Sequence, residues 1–303
     1  MSGEISKDEA LTDTKKDVTL DVMMHKGILI AKCEIDEIQK FEMRDDDVWV
    51  CTFPRSGTTL TQEIVYLVMT LDFEKANSVQ LDDRFPIIDV KNDKFPYYRG
   101  VKHVEEMQSP RMVKAHAHFD FLPEQLQNGK GRIIYLARNP KDVITSYFHL
   151  LQWLNELRDY NDTWPKFFNS FVEGKALHCP WPRHVLKYWE RRNDSNVLFL
   201  KYENLIKDLP NGVRTIAKFL GKEILDENVA RICDHCSVQN MKTNENVNLS
   251  YWREFKNVND EAGGGFINKG KSGVWKHILT PEESEKIDVL LKEVQEAGLT
   301  FDT

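Results

Sequence analysis

Long apolar runs are missing from this chain of 303 residues. No stretch of about 18 apolar residues occurs, so no helix is expected to cross a membrane. Cysteine is scarce, with Cys33, Cys51, Cys179, Cys233 and Cys236 making an odd set of five. That excludes a disulfide framework and predicts reduced thiols in a cytoplasmic protein. Only Cys233 and Cys236 form a C-x-x-C pair. His235 is adjacent, but no second pair at metal spacing accompanies it, so no metal is expected. Positive charge is also in deficit. Lys and Arg number 41 against 48 Asp and Glu, a net charge of −7 and a pI of about 5.8. The chain as a whole is therefore no nucleic-acid binder, and any nucleotide site must be a local basic pocket. The opening MSGEISKDEALTDTKKD lacks an apolar centre, so it reads as a frayed tail and not as a signal peptide. Residues 1–40 are taken as tail and lead-in, and 41–303 as a single domain.

What remains is sufficient for a large core: 41% hydrophobic and 11% aromatic residues. Buried-strand runs occur at Val48–Cys51, Arg111–Ala115, Arg132–Ala137 and Asn196–Lys201. Helical spacing appears at Val143–Leu157, His184–Arg192 and Gly212–Leu220. This alternation predicts an α/β fold with a central parallel sheet flanked by helices. Asn257–Gly265, with three consecutive glycines, reads as a mobile loop of the kind that covers sites.

The most informative stretch is Val48–Thr70. A buried strand runs into Pro54 and Gly57, and helical apolar spacing begins at Leu60. A strand, a short polar loop and a helix start make an anion pocket, because the first backbone N–H groups have no intrahelical partner. Arg55 adds a cation that can fork onto phosphate or sulfate. Arg55, Ser56, Gly57, Thr58 and Thr59 are thus expected to hold a phosphorylated ligand. This is not a Walker A loop, which needs a Gly where Thr52 stands. A plain polar turn, with Gly57 at a special dihedral and Thr59 as cap, fits the same residues. Other segments separate the two readings.

In YLARNPKDVITSYFH, Arg138 closes a strand, Asn139 is an N-cap and Pro140 opens a helix. Ligands in such sheets lie outside the carboxyl ends of strands, where Arg55 and Arg138 both fall. Ser146, two turns into that helix, faces back towards them. In RMVKAH, Lys114 and His116 share one strand face. A histidine there can take a proton from a hydroxyl and a lysine can stabilise leaving-group charge. His103 and His118 are rivals for the first role. In FINKGKSGVWK, Lys269, Gly270 and Lys271 form a short basic loop whose backbone can approach phosphate. Trp275 is expected in the core.

These four segments, in this order and spacing, resemble the cytosolic sulfotransferases over about Asp46 to Glu285. The resemblance implies a P-loop-kinase-like fold and 3′-phosphoadenosine 5′-phosphosulfate (PAPS) as donor. The product would be 3′-phosphoadenosine 5′-phosphate (PAP). TFPRSGTT matches the family's 5′-phosphosulfate loop and RNPKDVITSYFH its 3′-phosphate segment. By the same resemblance His116 is the catalytic base, with Lys114, Arg55 and Ser146 in the catalytic group. Arg138 and Ser146 bind the 3′-phosphate. Tyr202, Leu60, Cys236, Ser237 and Val238 fall on the adenine side, and Asn268, Lys269 and Gly270 on the later phosphate motif. Ile87, Val90, Phe148 and His149 fall on the acceptor pocket, with a gate around Asn246 to Phe255. The implied acceptor is a small phenol, catecholamine or alcohol. Where amine-selective relatives carry an acidic residue the aligned position is near Leu154, with Glu156 close by.

The chain departs from the family pattern at several points. It has Arg55 for a lysine, Leu60 for a tryptophan, Cys236-Ser237-Val238 for Thr-Ser-Phe, Asn268 for an arginine and Val274 for an aspartate. Leu60 and Val274 resemble the brain-type orphan branch. The alternative reading is accordingly a PAP- or PAPS-binding scaffold with little turnover. The family's dimer motif reads Lys276, Thr280, Pro281 and Glu285, and Pro281 removes a donor from a homodimer pairing.

Overall fold

The computed structural model describes residues 19–160 and 163–301. The expected tail at 1–17 lies outside them. Strands β1 (Val22–His25) and β2 (Ile28–Ala31) form an antiparallel hairpin. It turns at Lys26 and Gly27, both at positive φ, as a tight two-residue turn requires. Ile28, Ile30 and Ala31 are buried in the main core. The stretch set apart as lead-in therefore contributes to the core from Leu20 onward.

The main sheet contains β3 (Val48–Thr52), β4 (Met112–Ala115), β5 (Arg132–Ala137) and β6 (Val197–Lys201). All four are parallel, in the order β4-β3-β5-β6. The sequence boundaries hold to within a residue. The helices that bear on the site are α1 (Thr58–Thr70), α2 (Pro140–Trp153), α3 (Trp181–Glu190), α4 (Tyr202–Lys207), α5 (Leu209–Phe219), α6 (Asp226–His235), α7 (Val238–Thr243) and α8 (Pro281–Glu296). The helix expected over Val143–Leu157 starts at Pro140, with Asn139 accepting from the Lys141 N–H as cap. It ends at Trp153, and a 3₁₀ segment follows from Asn155 to Tyr160. Among the described residues no helix is long and apolar enough to cross a membrane.

Alternate residues of the buried strands feed two cores. Trp49, Cys51, Ile133 and Tyr135 belong to one, and Val48, Val50, Ile134 and Leu136 to the other. This is the pattern of a sheet covered by helices on both faces. Trp275 is only half-buried, contrary to expectation, and its ring lies under the Lys141 ammonium at 4.5 Å. Thr280 and Pro281 start α8. Thr280 and Glu283 form a reciprocal capping box, and Pro281 sits in the first turn, where a missing N–H costs nothing.

Candidate active site

Each strand of the main sheet delivers a polar side chain just past its carboxyl end. β3 runs into the loop Phe53–Gly57, β4 into His116, β5 into Arg138 and β6 into Tyr202. They meet around a cavity of about 390 Å³, within the size range of small-ligand sites.

The β3–α1 loop turns through Arg55 at φ 69° and Gly57 at φ 105°. A methyl group on Gly57 would lie 2.6 Å from Tyr202 Cδ2 and 2.9 Å from Leu136 Cδ2, so only glycine fits. Thr52 Oγ1 and Thr58 Oγ1 share a hydrogen bond of 2.6 Å across the turn. Ser56 Oγ is buried with no partner. Arg55 donates from Nε to Ser146 Oγ at 3.0 Å and from a terminal nitrogen to the Phe266 carbonyl at 2.9 Å. Burial and the neighbouring Arg138 bring its pKa down to about 10, so it stays charged at neutral pH.

Arg138 donates to the Arg55 carbonyl at 3.0 Å and the Lys271 carbonyl at 3.2 Å, and lies over the Tyr202 ring at 4.4 Å. Its Nε is buried without a partner. Asp142, in the first turn of α2, accepts from the Gly273 and Trp275 backbone N–H groups at 2.7 and 3.2 Å. It thereby holds the basic loop Lys269–Lys271 over the arginines.

His116 Nδ1 lies 2.9 Å from the Thr52 carbonyl. That oxygen can only accept, so Nδ1 carries the proton and Nε2 keeps a free lone pair. The backbone around it is fixed. His116 N–H donates to Asp89 Oδ2 at 2.7 Å, and His184 Nε2 donates to the His116 carbonyl at 3.0 Å. Tyr135 OH in turn donates to His184 Nδ1 at 2.9 Å. Burial, then the Lys114 charge, holds the His116 imidazole well below its ordinary pKa. Lys114 is held low as well, by burial against the opposing pull of Asp82 and Asp89. The rival His118 is fully buried and donates from Nε2 to the His178 carbonyl. His103 sits on the helix Gly100–Glu106 beside Arg99.

Arg55, Gly57, Thr58, Thr59, Leu60, Ile87, Val90, Arg138, Ser146 and Tyr202 all line the cavity, as do Lys114 and His116. So do Cys236, Ser237, Val238, Asn268, Lys269 and Gly270. Ser56 lies beneath the wall. Phe148 and His149, expected in the acceptor wall, are not on it. Phe148 packs on Trp164 and Phe167, and His149 abuts Gly264. The helix explains the error. The cavity-lining residues of α2 are Asp142, Thr145, Ser146, Tyr147 and Leu150, and each residue step turns the side chain by about 100°, which carries Phe148 and His149 past the wall. Sequence reasoning missed Tyr98, His178 and Leu20, which line the cavity, whereas Leu249 and Trp252, also on its wall, fall within the expected gate around Asn246 to Phe255 and Phe266 opens the basic-loop segment. The missed residues come from the hairpin and connecting segments, whose approach to the site only the folded chain reveals. Cys233 and Cys236 are free thiols, and His235 Nε2 is paired at 2.8 Å with Glu63, which also binds Arg84 at 2.7 Å.

Residues 45–298 match the family described as "Sulfotransferase domain". The chain is 35% identical over 271 residues to human "Sulfotransferase 4A1", covering 89% of this chain and 87% of that protein. It is 35% identical over 263 residues to the "Amine sulfotransferase" of Oryctolagus cuniculus, covering 86% and 84%. Among solved structures it superposes on retinol dehydratase in complex with androsterone and inactive cofactor PAP. There the TM-score is 0.83, with 26% identity over 98% of this chain and 97% of the other. A mouse sulfotransferase complexed with PAP, at 24% identity and a TM-score of 0.71, has the same fold. The chain belongs to the sulfotransferase family and is a PAPS-dependent sulfotransferase.

Proposed function

We propose that the chain moves the sulfuryl group of PAPS to the hydroxyl of a small phenol, catecholamine or alcohol, with His116 as general base. The observation that carries this reading is the commitment of His116 Nδ1 to the Thr52 carbonyl, which leaves Nε2 to accept a proton.

The residues suit an anionic nucleotide. Arg55, Arg138, Lys269 and Lys271 bring four cations to one cavity, and Ser56 Oγ and Arg138 Nε are buried donors still lacking an acceptor. Ser56–Thr59 and Arg55 would hold the 5′-phosphosulfate, and Arg138, Ser146 and Lys269 the 3′-phosphate. Leu60, Tyr202, Cys236 and Val238 would face the adenine. PAPS, when bound, supplies the sulfuryl group and a phosphate leaving group. His116 Nε2 takes the acceptor hydroxyl's proton as the new oxygen–sulfur bond forms. Lys114 and Arg55 would stabilise developing negative charge. Ser146 fixes the Arg55 guanidinium, which stabilises as a cation and not as a proton donor. Incubating labelled PAPS with a panel of phenols, catecholamines and alcohols tests the reading. Transfer of label to no acceptor, with PAP still bound, would favour the scaffold reading.

One observation supports that second reading. Val238, assigned above to the adenine, presses on Gly270, where an added Cβ would meet Val238 Cγ2 at 2.1 Å. With Leu60 it leaves the two positions where the family carries a tryptophan and a phenylalanine without a ring, so that Tyr202 is the one aromatic among the residues assigned to the adenine. Leu60→Trp is therefore expected to tighten PAP binding by up to about tenfold, the order of one stacking contact. Calorimetry reads this directly. An indole seated over the adenine without tighter binding would rule out missing stacking as the deficit.

The 3′-phosphate assignment has its own check. Arg138→Ala should weaken PAP by about 10- to 100-fold, the range of a charged hydrogen bond. Adenosine 5′-phosphosulfate, which lacks the 3′-phosphate, should bind nearly unchanged. Equal losses for both ligands would move Arg138 to another role.

A further inference from the structure

β4 ends at Ala115, so His116 stands one residue past the parallel ladder. Its backbone is nonetheless paired on both sides, and by side chains. Asp89 Oδ2 accepts from the His116 N–H at 2.7 Å, and His184 Nε2 donates to the His116 carbonyl at 3.0 Å. One residue further on, Tyr188 OH donates to the Ala117 carbonyl at 2.8 Å. His184 and Tyr188 are four apart on α3 and so share one face of that helix. Through two successive carbonyls, α3 grips the exit of β4.

The grip is anchored on another strand. Tyr135 lies on β5, and β3 separates β5 from β4. Tyr135 OH donates to His184 Nδ1 at 2.9 Å, while its ring stacks on Tyr188 with centroids 3.9 Å apart. Burial holds the phenol well above its ordinary pKa, so it keeps its proton. Burial, then His118, holds the His184 imidazole well below its own, so that ring is neutral and carries one N–H. The His116 carbonyl can only accept, which puts this N–H on Nε2 and leaves Nδ1 to accept from Tyr135. Tyr135, His184 and the His116 carbonyl form one polarised line in which each hydrogen bond strengthens the next. His184 is fully buried and lies behind the cavity wall, so it bears on the site through His116.

The His116 side chain depends on this hold. Its Nδ1 reaches the Thr52 carbonyl at 2.9 Å. A backbone shift of about 1 Å would break that bond, and with it the single tautomer that leaves Nε2 free. We propose that His184, oriented by Tyr135, is a positioning residue for His116, fixing its backbone so that the imidazole keeps its proton on Nδ1 and its lone pair on Nε2. The effect on turnover rests on the reading of His116 as base. The hold on its tautomer does not.

Two amides of different reach test it. In His184→Gln the side-chain N–H can occupy the Nε2 position and donate to the His116 carbonyl, whereas in His184→Asn it reaches only as far as Nδ1. With PAPS and 4-ethylphenol, kcat is expected to fall by about tenfold or more in His184→Asn and by less than about threefold in His184→Gln, the scale of a reacting group displaced by part of an ångström. PAP affinity by calorimetry should stay within about twofold in both. Proton–nitrogen correlation spectra of the PAP-loaded protein read the His116 tautomer without turnover. They should show the proton on Nδ1 in the unaltered protein and in His184→Gln, and shared between the two nitrogens in His184→Asn. Tyr188→Phe removes a hydrogen bond from the next carbonyl and controls for lost stability, so it should leave that spectrum unchanged. Tyr135→Phe keeps the ring in place and should lower kcat by a smaller factor than His184→Asn. An unchanged His116 tautomer in His184→Asn, or a kcat lowered as far by Gln as by Asn, overturns the proposal. Where His184→Asn fails to fold, an unchanged kcat in Tyr135→Phe does so. A tautomer lost in His184→Asn with kcat retained would instead refute His116 as the base and leave the positioning role standing.

Discussion

His116→Ala should lower kcat by about 10²-fold or more, the usual scale for a positioned base, with PAP affinity nearly unchanged. The removed group touches the nucleotide loop only through Thr52, so binding and chemistry separate. His116→Gln should fare no better, because an amide has no basic lone pair at the required place. The pH profile adds an independent reading. Burial and Lys114 hold the imidazole well below its ordinary value of 6.5. The unprotonated, active form therefore persists as pH falls through the neutral range, and kcat should decline only in more acid solution. A rate that fell with a midpoint near pH 6.5, or normal turnover in the alanine variant, would remove His116 from the role.

Gly57→Ala should abolish measurable PAP binding while most of the fold survives. The added methyl group meets Tyr202 Cδ2 at 2.6 Å and Leu136 Cδ2 at 2.9 Å, and φ of 105° strains any residue with a Cβ. Leu136 belongs to the central sheet and cannot retreat. The loop must move instead, taking the Arg55 carbonyl away from Arg138 and the first N–H groups of α1 away from their shared focus. A loss of about 10²-fold or more in PAP affinity is expected, since several charged hydrogen bonds fail together. The strain and clash should also cost about 1–3 kcal/mol of stability, seen as a lower Tm. Calorimetric PAP binding within about twofold of the unaltered protein would show that the loop adapts.

The main sheet was legible because buried parallel strands are continuous apolar runs ending in Arg, His or a polar loop. Arg132–Ala137 could be bounded to the residue, and the others to within one. The placement of the β3–α1 loop and Arg138 on the cavity was legible for a related reason, since strand ends and helix starts are local signals. The acceptor wall was not local. Tyr98 and Trp252 are far apart in sequence and meet through Tyr97, which stacks on Trp252 at 4.1 Å and accepts from Asn257 Nδ2 at 2.6 Å. Phe148 and His149 lie off the cavity for the opposite reason. The helix was foreseen, but its rotation about its axis is set by the packing of Tyr147 and Phe148 against Phe167, which no short window contains. Leu20 and the hairpin were hidden because a short two-stranded ribbon has little periodicity to detect.

The three attachments of Arg55 have a consequence for the order of events. One guanidinium joins the nucleotide loop, the α2 hydroxyl of Ser146 and the carbonyl and ring of Phe266, which also lines the cavity. On the donor-site reading proposed above, an anion that draws on this cation would compete with Phe266 for it, and filling that half would alter the wall offered to the second molecule. Reciprocity requires the reverse to hold with the same coupling free energy. On that reading the two halves would not be separate compartments, and affinity measured for either occupant should depend on whether the other is already in place.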